Sequence, residues 1–370
     1  MSFTRAGLAA FSVAIMVAAC GGGGDAAGPK VAISRVMVAG DSLADAGTFG
    51  AKFTVQNAAS PSTGYPVYPQ IVAMDYGLTQ PCNFFASSTG GASFTTNATC
   101  TDYAVGGAQI LNPASQGGAN APFSLGFQLA TALQVNGGAW QPTDLIVIDA
   151  GGNDAAAVVG AYLGAASGSA GVAAYQAFLA GELDAATIGA TLTQPNGGAL
   201  AAGLYMQKLA DTYWTTVKAT TLDKGATHVA ILNMPDVTLT PRFQAVLAQV
   251  SAASGSAAAT ALQGAIQQWI QAFNAELTKD VAGDARVAVV PFYEDFTEEI
   301  GSPATYGLTN VTTPVCSETG FPATCIDAQL NTTLPTWNSY LFSNGFHPTP
   351  FGHHLLAASV ARALARAGWL

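Results

Sequence analysis

Residues 36–47 read VMVAGDSLADAG, an apolar run that ends in glycine and is followed at once by an acid and a serine. A short run of this kind, bounded by Gly and Asp, is typical of a buried strand. Glycine lets the backbone turn sharply after the strand, so Ser42 stands near the start of the next element, where backbone N–H groups point outward. By itself the segment predicts either a nucleophilic serine at a strand end or a turn whose serine caps a helix.

Three more short apolar runs share the features of this first strand. They lie at residues 145–148, 228–232 and 287–290. Apolar residues at helical spacing occur in other stretches, at 204–224, 262–281 and 350–367. Strands that alternate with helices indicate a parallel sheet covered on both faces. The sequence therefore predicts an α/β fold, a three-layer α/β/α sandwich with a mostly parallel central sheet. We expect the Ala- and Gly-rich residues 155–202 to form helices or loops over the top of this sheet.

The composition excludes some classes of partner. The formal net charge is −10, and only 9% of the residues are charged. A nucleic-acid partner would require a basic face that displaces counterions, and no basic cluster is present. The same charge disfavours electrostatic docking on anionic lipid. No feature indicates an obligate protein partner.

The first 30 residues are typical of an export signal followed by a tether. Arg5 precedes an apolar stretch at 7–19 that is too short for an ordinary transmembrane helix. Residues 17–20 read VAAC, which resembles the lipobox of bacterial lipoproteins, where the cysteine is lipidated. The expected organisation is a signal peptide at 1–19, lipidated Cys20 with a flexible tether at 20–30, and a single domain at 31–370. The alternative is ordinary secretion, with Cys20 an incidental thiol.

This resemblance also bears on localisation. The residue after Cys20 is glycine rather than aspartate, which by the same resemblance indicates sorting to the outer membrane. We therefore expect an exported protein that contacts the membrane through its lipid anchor. It would be an outer-membrane lipoprotein or a periplasmic or cell-surface protein, and a secreted protein if Cys20 is not lipidated.

Export makes the remaining cysteines interpretable. They are even in number and form two close pairs, so in an oxidising compartment the simplest prediction is the disulfides Cys82–Cys100 and Cys316–Cys325. A zinc site is disfavoured because there is no Cys-x-x-Cys motif and no histidine close to the pairs in sequence. The second pair lies in the Thr- and Pro-rich residues 305–337, which we expect to form a stapled surface loop.

Three further segments carry candidate functional residues. Residues 151–154 read GGND after the second strand, where Asn153 either offers an N–H to a developing oxyanion or forms a turn. Residues 103–108 read YAVGGA, where Gly107 permits close approach of a substrate or simply a turn. His347 lies in NGFHPT at 344–349, just before the last helix. The other histidines, at 228, 353 and 354, are interpreted as structural.

Together these segments resemble the GDSL lipase/esterase family, whose alternative name SGNH denotes four blocks. The blocks correspond here to Ser42 in GDSLADAG, Gly107 in YAVGGA, Asn153 in GGND and His347 in FHPT. The resemblance implies that Ser42 is the nucleophile and His347 the base. It also implies an oxyanion hole formed by the backbone N–H groups of Ser42 and Gly107 and the Asn153 side chain. No metal or organic cofactor is required.

One position departs from the family pattern. The family usually has an aspartate three residues before the histidine, and this sequence has Asn344. Asparagine can accept a hydrogen bond from imidazole but cannot stabilise imidazolium by charge. Either Asn344 orients His347, or the enzyme is weak, or a carboxylate from elsewhere substitutes. The candidate carboxylates are Glu294, Asp295 and Asp327.

The resulting expectation is a serine hydrolase that cleaves lipid or other acyl esters through an acyl-enzyme intermediate. An acyltransferase that uses the same intermediate is one alternative. A catalytically impaired surface lipoprotein that binds lipid or glycan is another. Product analysis would separate the first two, and covalent labelling of the serine would separate both from the third.

Overall fold

The computed structural model describes residues 32–61 and 63–370. The predicted signal peptide, the lipidated Cys20 and the tether lie outside these residues, and their assignments remain predictions. Within the described ranges, no helix is both long enough and apolar enough to cross a membrane.

Four parallel strands form the central sheet. They are β1 (Arg35–Ala39), β4 (Asp144–Ile148), β5 (Val229–Leu232) and β6 (Val287–Val290). Their spatial order is β1-β4-β5-β6, with every neighbouring pair parallel. A small antiparallel pair consists of β2 (Phe85–Ala86) and β3 (Thr95–Thr96). All four predicted strands are therefore present, within one residue of their expected bounds.

Helices account for most of the chain between β4 and β6 and are sparser between β1 and β4. Their bounds in the described residues are α1 (Tyr68–Asp75), α2 (Leu125–Val135), α3 (Gly152–Gly164), α4 (Ser169–Leu179), α5 (Ala185–Leu192), α6 (Gly197–Thr220), α7 (Pro241–Ser254), α8 (Ser256–Asp280), α9 (Phe292–Gly301), α10 (Asp327–Thr333) and α11 (Pro350–Arg366). The predicted end helix coincides with α11, whereas α6 and α8 begin seven and six residues before their expected starts at 204 and 262. The early turns are rich in Ala, Gly and Ser, which carry little periodic apolar signal.

Neighbouring positions on the strands alternate between two apolar layers. Val38, Val147 and Ala230 are paired across the sheet and face a layer that includes residues of α1, α9 and α11. Met37 and Ile146, one residue earlier on each strand, face a layer built mainly on α2, α3, α6 and α8. Helices thus cover both faces, and the predicted three-layer α/β/α fold with a parallel sheet is confirmed.

Both predicted disulfides are confirmed. Cys82–Cys100 closes the chain just before residues 101–103, which run along the outer edge of β1 and exchange backbone hydrogen bonds with Val38. Cys316–Cys325 joins two cysteines with a sequence separation of nine, and the loop that it closes precedes α10. Each bond fixes a loop next to a segment that the sequence marks as functional.

The sequence predicts that residues 305–337 form a stapled surface loop, but the structure shows that part of this segment is helical and buried. It contains α10, and its Cys325, Leu330 and Trp337 form a small buried cluster with Val55. The prediction missed this cluster because its apolar residues are too sparse in sequence to show a period. The segment therefore packs firmly against the loop that follows Ser42.

An apolar cavity of about 60 Å³ lies beneath the carboxyl ends of the strands. Its walls include Leu232, Phe296, Phe342 and Leu356, and Glu299 is also in contact with it. Glu299 is 4% exposed, and the loss of hydration raises the pKa of its carboxyl from 4.5 to about 8, with a smaller contribution from Asp295. At neutral pH this side chain is therefore mostly protonated in the fold.

We expect Glu299→Gln to stabilise the protein by an amount that grows from about pH 4.5 to about pH 8 and is largest at alkaline pH. Glu299 has its folded-state pKa raised, so the folded state is favoured below pH 4.5 and this advantage is lost as the pH rises through about 8. Glutamine does not ionise, so the variant should melt at least about 3 °C above wild type at pH 9. At pH 5 the two melting temperatures should nearly coincide. A pH-independent difference between them would contradict a buried, neutral Glu299.

Candidate active site

Ser42 stands at the end of β1 in a turn that buried polar groups hold tightly. The Gly40 N–H donates to Gln128 Oε1 and the Asp41 N–H donates to Asp149 Oδ1, both at 2.8 Å. A Cβ on Gly40 would lie 1.8 Å from Asp149 Oδ1, so only glycine permits this approach. The turn is thus fixed by contacts to two other segments before any substrate is present.

His347 is brought to Ser42 across 305 residues of chain. Its Nε2 lies 2.7 Å from Ser42 Oγ, and its Nδ1 lies 3.0 Å from Asn344 Oδ1. The His347 N–H and the Phe346 N–H also donate to Asn344 Oδ1, at 2.7 and 2.9 Å. The structure therefore brings together Ser42, His347 and Asn344 in one line of hydrogen bonds, in the order that the family resemblance implies.

None of the three substitute carboxylates considered from the sequence reaches His347. Glu294 accepts a hydrogen bond from Asn233, Asp295 binds Arg362 and Ser359, and Asp327 binds Tyr65 and the Ala58 N–H. These hydrogen bonds place all three acids at other sites. The hypothesis that one of these acids substitutes for the family aspartate is therefore wrong.

The carboxylate at this end of the site is Glu318, which sequence reasoning missed. The Asn344 Nδ2 donates to Glu318 Oε2 at 3.0 Å, and the Gly345 N–H donates to Glu318 Oε1 at 2.5 Å. Glu318 is the only acid between Cys316 and Cys325. Its position between these cysteines was the one sequence signal that could have identified Glu318. That signal becomes informative only when it is known that the loop closed by Cys316–Cys325 packs beside residue 344.

Aromatic rings surround the imidazole of His347. The rings of Phe53 and Phe321 lie with their centroids 5.0 and 5.6 Å from the imidazole, the second nearly parallel to it, and Phe346 packs edge-on. The resulting loss of hydration, with a smaller contribution from the charge of Arg242, lowers the pKa of His347 to about 3. At neutral pH the imidazole is therefore uncharged and able to accept a proton from Ser42.

The backbone around Gly107 leaves an N–H available near Ser42. Gly107 is exposed with a φ of +86°, a conformation that favours glycine, and a Cβ there would meet open space. The preceding residues are fixed, since the Gly106 N–H donates to Asp45 Oδ2 at 2.8 Å and the Val105 N–H donates to the Gly40 carbonyl at 3.1 Å. Among the residues that the structure describes, the N–H groups of Ser42 and Gly107 have no acceptor.

Asn153 lies at the second position of α3, beside the Ser42 turn. Its Nδ2 donates to the Ala108 carbonyl at 3.0 Å and makes a longer contact of 3.4 Å with Asp41 Oδ2. The amide is thus held between the two loops that carry Ser42 and Gly107. The structure brings these three candidate oxyanion donors to the same end of the sheet.

Buried aspartates connect the motif loops to one another. Asp45 accepts hydrogen bonds from Gly47, Thr48 and Gly106, and Asp154 accepts them from Ile110 and Leu111. Burial raises the pKa of Asp154 to about 6. Burial also raises the pKa of Asp41 to about 6 and that of Asp45 above its ordinary value. Sequence reasoning did not single out these acids, although they stand inside the motifs it used.

Outside this region, the described chain contains one group of acids close enough together to hold a cation, Asp211, Glu276 and Asp280. It lies on α6 and α8, and Lys208 and Lys279 pair with two of its carboxylates. These pairs already neutralise part of the charge that would attract a cation, and the group has no contact with Ser42 or His347.

Comparison with protein-family models agrees with this arrangement at the level of family. A family model described as GDSL-like lipase/acylhydrolase matches residues 36–360. No curated protein matches the chain. Among solved structures, an extracellular lipase from Streptomyces rimosus is similar, with 16% identity, 89% of this chain and 99% of that chain covered, and a TM-score of 0.43.

Proposed function

Because the chain belongs to the GDSL-like lipase/acylhydrolase family, we propose that it hydrolyses carboxylic esters through an acyl-enzyme intermediate on Ser42. Family membership makes the protein an ester hydrolase in the general sense. The observation that carries the finer proposal is the distance of 2.7 Å between Ser42 Oγ and His347 Nε2, in a site where the imidazole is uncharged. A serine is a weak nucleophile unless such a base takes its proton.

In the first step, Ser42 Oγ attacks the carbonyl carbon of the ester while His347 Nε2 takes the hydroxyl proton. The carbonyl π electrons move to oxygen, and this oxyanion accepts hydrogen bonds from the Ser42 and Gly107 N–H groups and from Asn153 Nδ2. Collapse of the tetrahedral intermediate breaks the bond to the alcohol, which leaves with the proton from His347. Each oxyanion donor is expected to contribute about 10²–10³ in rate.

In the second step, water attacks the acyl-enzyme with His347 again as base, and the acid is released with Ser42 regenerated. An alcohol in place of water would give a new ester, which is the transferase alternative. The aromatic side chains of Phe53, Phe321 and Phe346 beside His347 support an apolar acyl or alcohol group in the substrate. No step needs a metal or an organic cofactor.

The proposal is tested with nitrophenyl esters of graded acyl length and with an organophosphonate that labels activated serines. We expect ester turnover, and one phosphonyl group attached to Ser42 as located by mass spectrometry. A folded protein that neither turns over any ester nor reacts with the phosphonate would overturn the proposal and favour a binding protein. Ester products formed from added alcohol would identify the transferase alternative.

We also propose that the protein is exported and anchored through a lipid on Cys20. The sequence VAAC at 17–20 and the two disulfides support this proposal. Cys20→Ser should remove the lipid and transfer the protein from the membrane fraction to the soluble fraction, as measured by intact mass and fractionation. Ala27→Ser in the same N-terminal region should change neither measurement. An unlipidated wild-type protein would instead indicate ordinary secretion.

A further inference from the structure

We infer that Glu318 is a positioning residue for the reaction, which acts on His347 through the amide of Asn344. The two contacts that carry this inference are those from Asn344 Nδ2 to Glu318 Oε2 and from the Gly345 N–H to Glu318 Oε1. The inference rests on the proposed function, in which His347 is the base. It adds Glu318 as the fourth member of the hydrogen-bonded series that begins with Ser42, His347 and Asn344.

The first reason is the direction of the hydrogen bonds. An ionised carboxylate only accepts, so Glu318 requires the NH₂ group of Asn344 to face it. The amide oxygen then faces His347 Nδ1, which must carry the ring proton in order to donate. The lone pair of Nε2 is left facing Ser42 Oγ, which is the tautomer that a general base needs. Glu318 thus favours the productive tautomer together with the Phe346 and His347 N–H groups, which donate to the same amide oxygen.

The second reason is charge. An imidazolium forms whenever His347 takes the serine proton, and Asn344 is neutral. Glu318 supplies a negative charge on the far side of the Asn344 amide from His347. Hydrogen bonds to an ionised group are stronger than neutral ones, and they polarise the other hydrogen-bonded groups in the series. Asn344 is 2% exposed, so the amide that joins the two groups is shielded from water, whereas Glu318 itself is exposed. We therefore expect a moderate rather than an absolute dependence on Glu318.

The third reason is that the surrounding chain is shaped to admit this carboxylate. A Cβ on Gly345 would lie 2.5 Å from Glu318 Oε1 and 3.3 Å from Arg242 Cβ, so a side chain at this position would push Glu318 away. Val315 and Cys316 donate backbone hydrogen bonds to Phe342 and Ser343, at 3.0 and 2.8 Å. The disulfide loop is therefore paired directly with the segment that carries Asn344.

The same loop contributes a second contact to the base. Phe321 stacks on His347 with an angle of 12° between the ring planes, and its N–H donates to the Glu318 carbonyl at 3.3 Å. The span closed by Cys316–Cys325 therefore holds both a ring against the imidazole and a carboxylate behind Asn344. This gives the second disulfide a role in the site as well as in the fold.

The test compares Glu318→Ala, Glu318→Gln and the double variant Glu318→Ala/Asn344→Asp. We expect Glu318→Ala to lower kcat by about 10- to 100-fold, the range for a hydrogen bond to a charged group, with little change in KM. Glu318→Gln keeps the shape without the charge and should fall between Glu318→Ala and wild type. The double variant moves the carboxylate next to His347, and it should recover most of the lost kcat. If Glu318 only supports the loop, Glu318→Ala should instead lower kcat by the same factor whether residue 344 is Asn or Asp.

Two control variants distinguish the loss of the Glu318 charge from a general disturbance of the loop or of the surface charge. Ser317→Ala alters the same loop, and Glu298→Ala removes another exposed acid, on α9; both should retain wild-type turnover. Melting temperatures of all variants should stay close to that of wild type. Unchanged kcat in Glu318→Ala, or a loss that Asn344→Asp fails to recover, would overturn the inference while ester hydrolysis by the wild type still stands.

A readout without substrate distinguishes this inference from the proposed function. At neutral pH the imidazole is uncharged, and NMR of its ring nitrogens and of the Nδ1 proton reports the tautomer and the strength of its hydrogen bond to Asn344. The Nδ1 proton resonance should move upfield in Glu318→Ala, because a carboxylate no longer polarises the Asn344 amide, and it should move back in the double variant. An unchanged resonance would overturn the action of Glu318 on the imidazole even if the wild type proved inactive towards every ester.

Discussion

Ser42→Ala is expected to reduce ester hydrolysis to near background, a loss on the order of 10⁶ in kcat. The hydroxyl forms the bond to the acyl group, and among the described residues no other side-chain hydroxyl bonds to His347 Nε2. The turn itself depends on contacts of Gly40 and Asp41 rather than on the serine hydroxyl. The substitution should therefore leave the melting temperature almost unchanged.

The measurement is the steady-state rate with a short nitrophenyl ester, together with labelling by the organophosphonate. Ser256→Ala, at the exposed first residue of α8, serves as the matched control and should keep full activity. A small residual rate in Ser42→Ala is compatible with the proposal, because oxyanion donors retain some catalysis without the nucleophile. Turnover and labelling at wild-type levels in the folded variant would refute the assignment of Ser42.

The sheet could be predicted from sequence because its strands are short, buried and bounded. Val38 and Val147 each lie in a short apolar run that contains β-branched residues and ends at a glycine or an aspartate, and both are fully buried. A strand buried on both faces needs no alternation, so the apolar run itself is the signal. The beginnings of α6 and α8 were missed for the opposite reason, since Ala- and Gly-rich turns look alike whether helical or not.

The meeting of Ser42 with His347 also has a sequence basis. Loops that follow parallel strands gather at one edge of the sheet, and His347 comes just before the last helix, whose first turns lie near that edge. Asn344 could be placed because it is three residues from His347. Glu318 could not be placed in this way, because its approach depends on how the disulfide loop pairs with residues 342 and 343. Long-range pairing of irregular chain leaves no periodic trace in sequence.

His347→Ala should cost about as much as Ser42→Ala, again on the order of 10⁶ in kcat, and the double variant should be no worse than either single one. The two side chains act as one unit, since the serine is activated only while the imidazole accepts its proton. The measurement is kcat for both single variants and the double variant with one ester. Losses that multiply in the double variant would show that the two residues contribute independently, against the proposed pairing.

The pH dependence of the wild type gives a second test of His347. A general base works only when unprotonated, so kcat/KM should fall as the pH drops through the pKa of His347 in the free enzyme. Burial among aromatic rings and the charge of Arg242 lower that pKa to about 3. The acidic limb should therefore lie well below pH 6.5, as measured on protein shown by circular dichroism to remain folded. Arg242→Gln should move the limb to higher pH, and Arg366→Gln, at the exposed end of α11, should not. A wild-type limb near pH 6.5 would contradict a dehydrated imidazole, and would mean that water reaches His347 in the free enzyme.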